Sequence, residues 1–278
     1  MIANDAEQDF WSSDPGKQWV IDQKPMDASM ANLVTALLET AEPQPGHRVL
    51  DIGCGTGAVS LAFGDAVGPD GAVLGLDISD VMIARAQQRA EHTPHVSFRT
   101  GDAQVDALPE GPFDIITSRF GVMFFSDPKA AFRNFAKNLA PEGKLVFLVW
   151  GPRQDNPWMT LPSRTAMAKL GQVDPPQPNA PGPFGLSDIH YLEGILEASG
   201  LPDPKVEDVT IDLVPEGGAE GTASLAMRIG PVASIMRDKE ASDEDRATIH
   251  ANLIETFRPF ETDGNIAIPA RLFMITAG

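Results

Sequence analysis

From His47 to Trp150 short apolar, β-branched runs alternate with segments whose apolar residues recur at helical spacing. HRVLDIG (47–53), AVLGLDIS (72–79), HVSFRTGD (95–102), FDIITSRF (113–120) and KLVFLVW (144–150) read as strands. The intervening stretches Thr56–Val67, Asp80–His92 and Asp127–Leu139 read as helices. Breaks rich in Gly and Pro, PDG (69–71), PEGPF (109–113) and PEGK (141–144), fall between these elements, where turn chemistry belongs. Strand–helix alternation with near-continuous apolar strands predicts right-handed βαβ units and a parallel sheet covered on both faces.

The flanks follow other patterns. Residues 1–46 carry a helical stripe of Met26, Met30, Leu33, Val34, Leu37 and Leu38, and Trp11 and Trp19 upstream of it are placed to fold across the sheet edge. Residues 151–186 are Pro-rich, including the run Asp174 to Pro183, and predict a long loop covering the site. Ser187 reads as the N-cap of a helix ending at Gly200, and VEDVTIDLV (206–214) as a strand. Residues 219–262 form a helical insertion in which Ser242 and Asp245 have capping-box spacing. IAIPARLFMITA (266–277) reads as a terminal strand, with Pro269 marking an edge or a bulge. The division expected is an N-terminal helical segment (1–46), a ligand-binding core (47–150), a cap loop (151–186) and the remainder of the core (187–278).

Charge narrows the partners. The chain of 278 residues has 39 acidic and 21 basic side chains, a net charge of −18 with no compensating basic run. That argues against a nucleic-acid backbone or an anionic lipid surface as partner. One cysteine excludes an intrachain disulfide framework and a cysteine-based zinc cluster, and no carboxylate cluster predicts a metal. The start MIANDAEQDF has neither a basic nor an apolar signal region, and the longest unbroken apolar run is only Leu145 to Trp150. A cytoplasmic protein with no membrane insertion is the expectation.

The chemistry begins at Asp51-Ile-Gly53-Cys54-Gly55-Thr-Gly57-Ala58, which leaves a strand and opens a helix. Glycines there let the backbone turn sharply and approach a ligand with no Cβ in the way. The loop satisfies both Gly-x-Gly-x-Gly and the dinucleotide fingerprint, and Asp77, twenty residues beyond Gly57, suits ribose hydroxyls in either case. Three features separate the two. Asp51 sits two residues before the first glycine, where a dinucleotide loop continues its apolar strand. Gly101-Asp102-Ala103 puts a further carboxylate at the same sheet edge, suited to an adenine amino group. The sheet also ends in an antiparallel-looking pair, residues 204–214 and 265–277, instead of a second dinucleotide half.

With VLDIGCGTG (49–57), LGLDIS (74–79), TGDA (100–103), FDIITSRFGVMFF (113–125) and LAPEGKLVFLVW (139–150), the chain resembles the class I S-adenosylmethionine-dependent methyltransferases. The similarity is to the ubiquinone/menaquinone-biosynthesis-like group with a methyltransferase type 11/25 domain, and it extends more faintly to PARLFMITA (269–277). The resemblance implies an α/β, Rossmann-like, seven-stranded, mostly parallel sheet of order 3-2-1-4-5-7-6, its last strand antiparallel, with helical cap insertions. It implies that Asp51, Gly53, Cys54, Gly55 and Gly57 cradle the methionine portion of the cofactor and that Asp77 takes the ribose. Ile78 and Met82 would flank the adenine, Asp102 and Ala103 would meet its edge, and Ser118, Arg119 and Phe120 would floor the transfer site. S-adenosyl-L-homocysteine would be the product.

Methyl transfer from a sulfonium needs chiefly positioning of the acceptor and exclusion of water, so no catalytic side chain has to be visible. The candidates are His190, near a helix start, and Arg119, which would orient an anionic acceptor or simply pair with a nearby carboxylate. His47, His92, His95 and His250 read as structural or surface residues. Trp19, Met26, Met123, Trp150 and Trp158 are the candidate contacts for a small hydrophobic or aromatic acceptor. Asn156-Pro157-Trp158 resembles a DNA adenine methyltransferase motif but follows the fifth strand where that motif follows the fourth; here it reads as an anchor for the cap loop. Two other functions stay open on these residues: a protein that binds the cofactor or its product without transferring methyl, and an NAD(P)-dependent enzyme.

Overall fold

The computed structural model describes residues 3–108 and 110–278; Pro109, in the PEGPF break, lies outside them. The described residues open with helices α1 (Asp5–Ser12), α2 (Asp14–Ile21), α3 (Gln23–Ser29) and α4 (Ala31–Ala41). The alternating region follows as β1 (Arg48–Ile52), α5 (Ala58–Val67), β2 (Ala72–Asp77), α6 (Asp80–Arg89), β3 (Val96–Thr100), β4 (Phe113–Arg119), α7 (Pro128–Asn138) and β5 (Leu139–Trp150). Next come α8 (Pro157–Leu170), α9 (Ile189–Glu197), β6 (Lys205–Leu213), α10 (Gly218–Ala226), α11 (Pro231–Asp238) and α12 (Asp243–Phe257). A minor ladder of β7 (Glu261–Thr262) with β8 (Asn265–Ile266) precedes the last strand, β9 (Ile268–Ala277).

The main sheet has seven strands in the order β3-β2-β1-β4-β5-β9-β6. β1 to β5 pair in parallel, and β9 runs antiparallel to both β5 and β6. Because β7 and β8 lie outside this sheet, β9 is its seventh strand in chain order, and the observed order is the expected one. Helices on both faces explain why Leu50, Ile116, Leu148 and Phe147 are all fully buried. On one face α7 sets Phe132 and Phe135 edge-on to Phe147 of β5. On α4 the expected stripe buries Leu33 and Leu37, while Val34 and Leu38 are half-buried.

The chain winds outward from β1 through β2 to β3, then crosses back to lay β4 on the other side of β1. Two neighbouring loops therefore leave the sheet in opposite directions, and a crevice opens at the carboxyl ends of β1 and β4. The register pairs Asp51 with Gly75 of β2 and with Thr117 of β4, so Asp51, Asp77 and Arg119 end up at that crevice.

Three details differ from the sequence expectation. Residues 157–170, read as part of a cap loop, form the helix α8, and the loop proper is confined to the residues after it. Pro157 stands at the first helical position, where its missing N–H costs nothing, and α8 carries Pro162 internally while packing against α11 and α12. The N-cap of α9 is Asp188, whose carboxylate accepts from His190 and Tyr191, whereas Ser187 turns its hydroxyl back to Phe184. Pro269 sits in an interior strand, opposite Asp212 of β6, but β5 pairs with β9 only from Leu272 onward. The missing amide of Pro269 thus faces no β5 partner. The capping box of Ser242 and Asp245 is present at the start of α12.

Asn156 is fully buried and works as a piece of sheet. Its amide accepts from the Arg271 backbone N–H at 2.9 Å and donates to the Arg271 carbonyl at 3.0 Å and the Pro152 carbonyl at 3.1 Å. Asn156→Ala strands the Arg271 N–H, while the Arg271 and Pro152 carbonyls keep the Gly151 and Asp155 N–H donors, and a loss of about 1–3 kcal/mol is expected. Urea unfolding should show a lower midpoint with an unchanged m-value; a midpoint equal to wild type would show that water replaces the amide without cost.

Candidate functional site

The loop between β1 and α5 is shaped by three glycines with positive φ, 64° at Gly53, 55° at Gly55 and 86° at Gly57. A Cβ on Gly53 would sit 2.5 Å from the Gly121 Cα, and one on Gly121 would sit 2.5 Å from the Ile52 carbonyl oxygen. The exits of β1 and β4 therefore touch backbone to backbone. Gly55 is different: its Cβ would meet only the Met82 sulfur, at 3.7 Å, so the loop keeps an open space there. Cys54 is buried, and burial together with the charges of Asp77 and Asp51 pushes its thiol well above the usual range, which favours the neutral thiol.

Asp77 ends β2 with Oδ2 accepting from the Gly55 N–H at 2.8 Å and Oδ1 from the Ser79 N–H at 2.9 Å. Burial raises its pKa and these backbone donors oppose the rise. Each oxygen retains a further lone pair for a ligand hydroxyl. Asp51 is 1% exposed; its Oδ2 accepts from Ser60 Oγ at 2.6 Å, while Oδ1 is closed to solvent without a partner among the described residues. Burial pushes Asp51 up to about 7, against the opposing pull of the Ser60 hydrogen bond and the Arg119 charge. Thr117 Oγ1 and Arg119 Nη1, on the adjacent strand β4, are likewise buried without a partner. Arg119 forms no ion pair among the described residues, and burial lowers its pKa against the opposing charges of Asp27 and Asp51. Asp27 is engaged by Arg89 at 2.8 Å. The carboxylate pairing that would have explained Arg119 structurally is absent among the described residues, and its Nη1 is left without a partner.

Other expected cofactor contacts are placed differently. Ser118 is fully buried and donates to the Ile52 carbonyl at 2.7 Å, tying β4 to β1 instead of flooring a transfer site. Asp102, read as a partner for an adenine amino group, spends both oxygens on the chain itself. Oδ2 accepts from the backbone N–H groups of Ala3 (3.1 Å) and Asn4 (3.2 Å), and Oδ1 from Asn4 Nδ2 (2.8 Å) and the Gln104 N–H (3.0 Å). Ala103 is buried beside it, Met82 is buried in the first turn of α6, and Ile78 is half-buried.

Beyond β4, Phe120 has φ 72°, unusual for an aromatic residue, and stacks on Trp150 with centroids 4.7 Å apart and planes 8° from parallel. The Met123 sulfur accepts from the Trp150 N–H at 3.4 Å. Phe124, one residue on, meets Trp11 edge-to-face at 5.5 Å, and Trp11 meets Trp19 at 6.0 Å. Phe120, Met123 and Trp150 thus form one contact group beyond β4, and Phe124, Trp11 and Trp19 a second. Trp158 belongs to neither: it packs on Phe257 of α12. Met26 is 2% exposed in the core. His190 is exposed and faces Glu193 one turn along its own helix, and His250 pairs with Ser224 at 3.0 Å. Neither is hydrogen-bonded to a crevice residue. Among the described residues no group of three or more His, Cys, Asp or Glu is placed to hold a metal, and no helix is long and apolar enough to cross a membrane.

Sequence reasoning missed Gly121, Thr117 and Asn4. A strand-end glycine in RFGVM was a usable signal for the first. Thr117 reads as an ordinary strand residue, and Asn4 as an ordinary helix cap.

Residues 49–143 match the family described as "Methyltransferase domain". Over 111 residues the chain is 40% identical to the nocamycin O-methyltransferase of Saccharothrix syringae, which covers 39% of this chain and 40% of that protein. Over 142 residues it is 32% identical to the ubiquinone/menaquinone biosynthesis C-methyltransferase UbiE of Shewanella oneidensis, covering 49% and 57% respectively. The chain thus spans about half the length of these relatives. Its fold superposes on phosphoethanolamine N-methyltransferase 2 of Haemonchus contortus with a TM-score of 0.52 at 20% identity, covering 88% of this chain and 52% of that one.

Asp51 gives the crevice a pH signature. Its folded value is raised from 3.8 to about 7, so between these values the folded chain holds a proton that the unfolded chain releases. The stability this group contributes is complete below the ordinary carboxylate value and is lost as pH rises through about 7. In ligand-free protein, Asp51→Asn should flatten the fall of unfolding free energy over that window. Parallel pH profiles for wild type and variant would show that Asp51 is ionised throughout.

Proposed function

From the match of residues 49–143 to the methyltransferase-domain family, we propose that the chain binds S-adenosylmethionine and methylates a small hydrophobic or aromatic acceptor. The observation that carries this reading is a pair of unpartnered groups, a carboxyl and a guanidinium, at the carboxyl ends of β1 and β4. Asp51 Oδ1 asks for a donor and Arg119 Nη1 for an acceptor, on neighbouring strands and both closed to water. A ligand bearing an ammonium and a carboxylate on one carbon satisfies both, and the methionine end of S-adenosylmethionine is such a group. An unpaired buried charge is expensive, so these residues are matched to an occupant of that kind.

The remaining residues fit around it. Asp77 would accept ribose hydroxyls with the lone pairs its backbone donors leave free, and Met82 and Ile78 would flank the base. S-adenosylmethionine, when bound, supplies a methyl group already activated by its sulfonium. The chain's share is to orient the acceptor and exclude water, through Phe120 and Trp150 as a rigid stack and Met123 as an adaptable wall. Asp51, ionised by an ammonium partner, would add negative charge near a cationic ligand. The structure of the Haemonchus enzyme was obtained with S-adenosylhomocysteine bound. The relatives above include an O-methyltransferase and a C-methyltransferase, so one scaffold serves different acceptor atoms, as expected where the protein positions more than it activates. The acidic surface makes a small molecule, not a nucleic acid, the acceptor we propose.

Calorimetry with two ligands tests this. Arg119→Gln should weaken S-adenosylhomocysteine by about 1.5–3 kcal/mol, the worth of a charge-assisted hydrogen bond, or roughly 10- to 150-fold. It should leave 5′-methylthioadenosine, which lacks the amino-acid end, unaffected. Asp77→Ala should weaken both. Equal losses for both ligands in Arg119→Gln, or no binding of S-adenosylhomocysteine to wild type, would overturn the assignment. A screen of phenols, quinols and small amines for homocysteine-product release then identifies the acceptor class.

A further inference from the structure

We propose that Asn4 and Asp102 form a clasp that holds the N-terminal helices across the crevice, and that Asp102 serves the cofactor only through this clasp. The proposal rests on the crevice being the cofactor site. Asn4 is then a positioning residue, and the carboxylate that sequence reasoning assigns to adenine recognition is an anchor.

Three observations carry it. First, Asp102 is saturated: a carboxylate has about four lone-pair sites, and four donors already fill them, from Ala3, Asn4 (twice) and Gln104. Its side chain is buried, so no edge is left for an exocyclic amino group.

Second, Asn4 gives up its local role to make these bonds. It is the N-cap of α1, the position where an Asn ordinarily turns its side-chain oxygen onto the first free amides of its own helix, and no such bond is present. Its Oδ1 instead accepts from the Ser126 N–H at 2.7 Å, and its Nδ2 donates to Asp102 at 2.8 Å and to Gln104 Oε1 at 3.2 Å. Gln104 Oε1 also accepts from the Asp127 N–H at 3.0 Å and Ser126 Oγ at 3.2 Å. One side chain thereby ties residues after β3 to residues before α7, and Asn4 is 5% exposed.

Third, the same segment has a second anchorage seven residues on. Ser79 Oγ, after β2, donates to the Trp11 carbonyl at 2.7 Å, and the Trp11 ring packs on Phe124, after β4. With the clasp after β3, the anchors of α1 surround the carboxyl ends of the strands that carry the site. Ligand entry and release at those ends then require α1 to lift. Lifting α1 strips three donors from a buried carboxylate, so the clasp sets the rate of exchange.

The test is a double-mutant cycle with Asn4→Ala, Asp102→Asn and the combination. It is read by amide hydrogen exchange of residues 3–12 in ligand-free protein and by the affinity and dissociation rate of S-adenosylhomocysteine. Each single variant is expected to lose protection across residues 3–12 and to release S-adenosylhomocysteine about tenfold faster or more. The double variant should be no worse than the more impaired single one. If Asp102→Asn weakens S-adenosylhomocysteine as much in the Asn4→Ala background as in wild type, Asp102 touches the ligand directly and the proposal fails. Unchanged exchange in either single variant also overturns it. Should wild type bind no S-adenosylhomocysteine at all, the cofactor reading fails while the exchange measurement still decides the clasp.

Discussion

Charged groups that have been taken out of water need partners, and the ends of β1, β2, β3 and β4 gather four of them: Asp51, Asp77, Asp102 and Arg119. The structure answers this demand in three ways. Asp77 is met by backbone N–H groups from Gly55 and Ser79. Asp102 is met by Ala3, Asn4 and Gln104. Asp51 Oδ1 and Arg119 Nη1 are met by nothing in the described chain. Burial without compensation destabilises a fold, and a native structure tolerates it where a ligand completes the set. Asp51 meanwhile lowers its own cost by holding a proton near neutral pH.

This division of labour explains why the glycines are where they are. Gly53 and Gly121 bring β1 and β4 into direct backbone contact, with Asp51 and Arg119 at the ends of these neighbouring strands. Gly55 leaves room beside the Met82 sulfur. A side chain at the first pair would wedge the strands apart, whereas one at Gly55 would fill the opening and strain the backbone. The same loop thus contains glycines that close packing requires and one that packing does not require.

Much of the fold was legible because a doubly covered parallel sheet writes itself into sequence as apolar runs separated by turn residues. VLDI, VLGLD and LVFLVW could hardly be anything but buried strands, and each of them forms. What misled was proline density. The stretch around Pro157 and Pro162 reads as loop by composition, yet Pro157 suits a helix start and packing against α11 and α12 holds the rest. In the site, local motifs were readable and long-range hydrogen bonds were not. The positions of Asp51, Asp77 and Arg119 followed from strand ends; that Ser118 would turn to Ile52, and that Asn4 would reach Asp102 from 98 residues away, depends on tertiary contacts that no spacing rule encodes. The carboxylate after the third strand lies at the carboxyl end of β3, and its long-range partners come from the chain's own N-terminal segment.

A crystal structure of the chain with S-adenosylhomocysteine tests the central claim most directly. The ligand's carboxylate should lie within hydrogen-bonding distance of Arg119 Nη1 and its ammonium within hydrogen-bonding distance of Asp51 Oδ1, with Asp77 on the ribose. A ligand whose amino-acid end points elsewhere, leaving Asp51 Oδ1 and Arg119 Nη1 still without partners, would contradict the account.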